Sequence, residues 1–197
     1  QPEFTQFDLE MPFCEPSDIQ STIETLVVNI FKDCMDIDIP VPFTRLTYED
    51  CIKNYGTDKP DFRNPLLIKD ITDIFIDTDI DFISKLLSNN SKISSVTRGE
   101  LYSRGEINKL DERIKDLGSN GLGYFVVDGD KITSPLSKFL KDEEKVRLKS
   151  IVDNKGTVFF QVGDPMVVNK YLAELFTENN NDNKDFGFVW IDQFPYF

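Results

Sequence analysis

In the opening segment QPEFTQFDLEMPF, Gln6, Asp8 and Glu10 alternate with apolar residues. Side chains alternate across an extended strand, so a strand built from residues 1–13 sets Gln6, Asp8 and Glu10 on one face and Thr5, Phe7, Leu9, Met11 and Phe13 on the other. An acidic, amide-bearing strip backed by apolar packing suits a site for a cationic, hydrogen-bonding group such as the ammonium of an amino acid. Pattern alone favours a plainer reading, a half-buried strand whose polar face meets water. Other chemistries find little material. Histidine is absent, which removes a His general base and any His-ligated metal. Cys14, Cys34 and Cys51 are odd in number and lack metal-ligand spacing, so they read as reduced thiols. Gly118, Gly121 and Gly123 in GSNGLG have the closeness of a phosphate loop but the wrong order, with a helix before them and a strand after. They serve a helix stop and a tight entry into the strand.

The elements that must position these residues read as α+β. Ser17 and Gln20 have the spacing of a capping box, and Ile19, Ile23, Leu26, Val27, Ile30, Phe31 and Cys34 recur at helical spacing. That predicts an amphipathic helix of about 18 residues, its apolar face packed on the back of the opening strand. Pro40 and Pro42 then interrupt regular structure, and Thr47 starts a shorter helix ending near Tyr55. Ser103 and Glu106 cap a helix of about 14 residues through Ile107, Leu110, Ile114 and Leu117, with Gly118 at a left-handed stop. Strands follow at Gly123 to Val127, turned by Asp128, Gly129 and Asp130, and at Thr157 to Val162. Asp164 and Pro165 cap a last helix carrying Val167, Val168, Tyr171, Leu172, Leu175 and Phe176. The polar run ENNNDNKD from Glu178 to Asp185 reads as a linker.

Composition excludes more than it identifies. The 197 residues, 40% hydrophobic, suffice for one or two cores. No apolar run approaches the roughly 18 residues of a membrane span and no signal peptide opens the chain, so a soluble, cytoplasmic protein without a membrane partner is expected. The net charge of −13 is concentrated early: residues 1–62 hold 13 acidic and 4 basic side chains, residues 63–182 hold 20 and 17. Residues 98–149, with interspersed charges of both signs, read as a solvated surface, a weak nucleic-acid contact being the alternative.

Beyond these patterns, the opening segment resembles, nearly residue for residue, the second strand of motif 2 in bacterial-type aspartyl-tRNA synthetases of class II. YGTDKPDFRNP at Tyr55 to Pro65, GSNGLGYFVV with SPLSKFL at Gly118 to Leu140, and FVWIDQFPYF at Phe188 to Phe197 agree with the same family in order. The resemblance implies an α+β fold: residues 1–62 as part of the antiparallel catalytic sheet with following helices, 63–182 as an inserted GAD domain, and 183–197 as a return strand. It implies aminoacyl-tRNA ligase chemistry, in which ATP activates L-aspartate to aspartyl-adenylate with Mg²⁺ assistance. The aspartyl group then passes to the 3′ end of a tRNA, that for aspartate, with that for asparagine left open. A homodimer is implied and no DNA partner. No protein nucleophile is needed, because such sites work by positioning and charge stabilisation.

Carried over position by position, Gln1 matches the glutamine that contacts ATP, Asp8 the acidic residue near the substrate ammonium, and Gln6 its neighbour on the same face. Glu3 and Glu10 read as structural ion-pair residues. Asp58, Lys59 and Asp61 fit either a proline-anchored turn with solvated charges or a loop at the active-site rim. The family's motif 1, the start of motif 2, the arginine-bearing motif 3 and the anticodon-binding barrel have no counterpart in these residues. A fragment of a longer enzyme, inactive in aminoacylation by itself, is the expectation. Two rivals remain: the GAD-bearing subunit of a tRNA-dependent amidotransferase, which shares only the GAD section, and a non-catalytic acidic interaction domain, which explains composition but not the ordered motifs.

Overall fold

The computed structural model describes residues 2–62, 66–176 and 186–196. In chain order its elements are α1 (Pro16–Met35), β1 (Thr44–Thr47), α2 (Tyr48–Tyr55), β2 (Lys69–Asp70), α3 (Asp81–Ser88), β3 (Lys92–Arg98), α4 (Arg104–Asp116), β4 (Gly123–Asp128), β5 (Lys131–Thr133), α5 (Asp142–Ile151), β6 (Lys155–Gly163), α6 (Pro165–Phe176) and β7 (Val189–Asp192). The chain divides into two compact units, Gln1–Arg45 with Asp185–Trp190, and Leu46–Lys184 with Ile191–Phe197.

In the first unit α1 runs 20 residues and begins ahead of the predicted box. Glu15 is its N-cap, Pro16 stands at the first helical position, and the Asp18 carboxylate accepts the Glu15 N–H at 2.9 Å. Proline is pre-set for that position and lacks the amide that would go unpaired there, so it fixes the start and leaves Ser17 and Gln20 inside the helix. On the apolar face of α1, Phe31 meets aromatic rings. Phe31 stands edge-on to Phe186 and Phe188, at 4.9 and 5.0 Å between centroids, and Phe43 stacks on Phe188. Rings of this size supply a large share of the apolar contact around them. Among them Glu24 is buried, its Oε1 accepting from the Phe43 N–H at 3.3 Å and the Trp190 Nε1–H at 2.8 Å.

The second unit is built on an antiparallel sheet of five strands in the order β2-β3-β6-β4-β5. The central β6 pairs along its length with β3, Ser95 opposite Phe160, and on its other side with β4, Gly123 also opposite Phe160. Only glycine fits at position 123, because a Cβ there would lie 2.4 Å from the Phe160 ring. Alternation along β6 sends Val158 and Phe160 to a core with Ile83 of α3 and Leu148 of α5, and Phe159 to a second core with Ile107 and Ile114 of α4 and Leu172 and Phe176 of α6. The sheet is therefore covered on both faces. The predicted caps of α2, α4 and α6 hold: Thr47 Oγ1 accepts the Asp50 N–H at 3.0 Å, Ser103 and Glu106 close a reciprocal box, and Asp164 Oδ1 accepts the Met166 N–H at 2.9 Å. Gly118, at φ +98°, follows α4 as expected.

β3, α5 and α3 are among the elements that escaped the sequence reading. β3, KISSVTR, is buried along its middle, yet Ser94 and Ser95 occupy two of those positions and mask the apolar run. Ser95 Oγ donates to the Lys69 carbonyl at 3.0 Å, which satisfies the hydroxyl in place of water. α5, DEEKVRLKSI, buries only Leu148 and Glu144, too few positions to set a helical period, and the eight residues of α3 bury only Ile83.

Candidate functional site

The residues predicted to hold a substrate lie in the opening segment. Residues 2–11 carry no strand assignment, a departure from the expected strand, and no ladder partner faces them among the described residues. A strand is stable only when its N–H and C=O groups pair with a neighbour, and the described residues offer this segment none. Its apolar side chains are accordingly open, Phe7 at 61% and Phe13 at 108% of full exposure. The structure does bring Gln6 and Asp8 together. Gln6 Nε2 donates to Asp8 Oδ1 at 2.9 Å, the contact that two side chains on one face of extended backbone can make. Both are exposed, as are Glu3 and Glu10, and Asp8 Oδ2 makes no hydrogen bond among the described residues. Gln1 lies outside the described residues.

A second concentration of polar groups surrounds a cleft of about 730 Å³ in the second unit. Its walls are Tyr48 and Ile52 of α2, the loop Gly56 to Lys59, Arg113 of α4, and Lys170, Ala173 and Glu174 of α6. Asp58 and Lys59, from the TDKPD stretch, thus share a cavity with charges from distant parts of the chain. Gly56 ends α2 at φ +68°, and a Cβ there would lie 2.2 Å from the Asn169 carbonyl oxygen, so only glycine lets the loop lie against α6. From below, the buried Asn169 amide donates to the Ile52 and Lys53 carbonyls at 3.2 and 3.0 Å, taking up the C-terminal end of α2. Arg113 is held by donating to the Glu174 carbonyl at 3.3 Å. Sequence reading missed Arg113, Asn169, Lys170 and Glu174, because each sits on a helix with no local pattern to separate it from other polar positions.

Beside the cleft, Cys51 is fully buried, and burial first, then the charges of Asp50 and Asp58, pushes its thiol up from the usual range. It is therefore inert as a nucleophile at neutral pH. No group of three or more His, Cys, Asp or Glu among the described residues could hold a metal ion. No helix among the described residues is long and apolar enough to cross a membrane.

An antiparallel sheet clad by helices defines an α+β protein, and an exposed amide–carboxylate pair lies in its opening segment. The family of class II tRNA synthetases (D, K and N) matches residues 1–196, and the chain belongs to it. It is 35% identical over its whole length to an aspartate–tRNA(Asp/Asn) ligase of Hydrogenobaculum sp., 36% to one of Oleidesulfovibrio alaskensis, and 34% to one of Helicobacter pylori. The chain covers 34%, 33% and 36% of those proteins, so it spans about a third of the length of the curated relatives it matches.

Proposed function

We propose that this chain is part of an aspartate–tRNA ligase and supplies the substrate-ammonium side of its amino-acid pocket. The observation that carries the reading is the Gln6–Asp8 hydrogen bond within a segment that aligns with aspartate–tRNA(Asp/Asn) ligases. Gln6 holds one carboxylate oxygen of Asp8 and leaves the other for the ammonium of L-aspartate, a charge-assisted bond about twice as strong as a neutral one. Gln1 contacts ATP. The substrate α-carboxylate attacks the α-phosphorus, pyrophosphate departs, and a hydroxyl of the terminal tRNA ribose then displaces AMP. In this reading residues 1–62 and 183–197 belong to the catalytic domain and 63–182 to a GAD-like insertion. The tRNA is that for aspartate, with the relatives' printed names extending it to asparagine. The intact enzyme is a cytoplasmic homodimer, and this chain alone forms no adenylate.

The test is aspartate-dependent exchange of pyrophosphate into ATP by the intact protein. Asp8→Ala raises the KM for aspartate, by about tenfold or more if one charge-assisted bond is lost, and leaves the KM for ATP unchanged. Equal aspartate KM values for variant and wild type would sink the assignment.

A further inference from the structure

The TDKPD loop takes no part in the proposed amino-acid pocket, yet it opens onto the cleft of about 730 Å³. Three cations reach that cleft from three separate elements: Lys59 from the loop, Arg113 from α4 and Lys170 from α6. Each is exposed, and none makes an ion pair with a carboxylate among the described residues. Lys32, Lys115, Lys141, Lys145, Arg147 and Lys149, by contrast, each face a carboxylate.

We infer that this cleft binds a phosphodiester segment of an RNA, with Lys59, Arg113 and Lys170 on the phosphates. The inference rests on the proposed ligase function for the choice of tRNA as that RNA. Lysine serves as a compact charge for phosphate and arginine as a directed set of donors, and Arg113 keeps free N–H groups beyond the one fixed to Glu174. The C-terminal end of α2 would ordinarily repel an anion, but its carbonyls are already taken by Asn169, Gly56 and Ile68. Asp58 and Glu174, in the same lining, are acceptors for ribose 2′-hydroxyls, which RNA presents and free phosphate or DNA does not. Gly56 packs the loop backbone against α6, so the segment that carries Lys59 is placed before the ligand arrives.

The experiment compares the intact protein with Lys59→Ala/Lys170→Ala and Lys59→Arg/Lys170→Arg variants, using a tRNA transcript for aspartate. The Ala pair weakens tRNA binding and makes the dependence of log affinity on log salt shallower by about 1.4, roughly 0.7 for each phosphate left without its cation. The Arg pair keeps both near wild type, and aspartate-dependent pyrophosphate exchange is the same in all three. Unchanged tRNA affinity and salt slope in the Ala pair overturn the inference. So does a raised KM for ATP with tRNA binding intact, which would make the cleft a nucleotide site. Wild-type protein lacking aspartate-dependent exchange refutes the ligase reading instead, and the salt slope still decides the cleft.

Discussion

A single carboxylate shows how much of this chain's chemistry goes into holding loops. Asp111 on α4 accepts the Leu122 N–H at 2.8 Å through one oxygen and the Lys115 ammonium at 2.6 Å through the other, tying the GSNGLG turn to the helix before it. Burial pushes its carboxyl up, but the Lys115 and Leu122 bonds outweigh burial and hold it below the ordinary 3.8. A carboxyl whose folded pKa is depressed stabilises the fold above its unfolded pKa, and the contribution is lost as pH falls through the folded value. Asp111→Asn therefore lowers stability at pH 7 and flattens the acid limb of the stability profile from about pH 3.8 downward. Urea unfolding between pH 6 and 2 measures both effects, and parallel acid limbs for variant and wild type would refute the linkage.

At the scale of elements, α2 and α6 are joined by one glycine and one buried amide. Gly56→Ala must relieve a contact of 2.2 Å with the Asn169 carbonyl while adopting φ +68°, which costs more than the roughly 1–2 kcal/mol of a left-handed alanine. Thr47→Ala, at the other end of α2, loses only a cap, about 1 kcal/mol. Denaturant titration should rank the two variants in that order. The caps were legible in the sequence because they depend on residues close together in the chain. The Gly56 constraint was not, since the atom it avoids belongs to Asn169, in a helix far along the chain. β3 was hidden for a related reason: Ser94 and Ser95 are buried because β2 and β6 satisfy them, and no local pattern announces that.

Across the whole molecule, charge and exposed apolar surface oppose each other. The five-stranded sheet ends in β2 and β5, of two and three residues, edges too short to recruit another chain. The opening segment has no such protection, with Phe4, Phe7, Met11 and Phe13 exposed. Residues 1–197 as an isolated chain are expected to self-associate in sedimentation velocity, and more strongly at about 0.5 M than at about 0.05 M NaCl, because salt screens the net −13 and leaves apolar attraction in place. Phe4→Ser/Phe7→Ser should abolish the effect; association that weakens with salt would assign it to charge instead. The family and the α+β class were determined by the sequence alone, since ordered motifs and hydrophobic periods are properties of the chain in one dimension. So was the pairing of Gln6 with Asp8, which needs only extended backbone. Tertiary structure alone decided that Lys59 shares a cleft with Arg113 and Lys170, and that the opening segment has no strand partner among the described residues. Both depend on which distant groups pack together, and packing is fixed by the balance of all contacts at once.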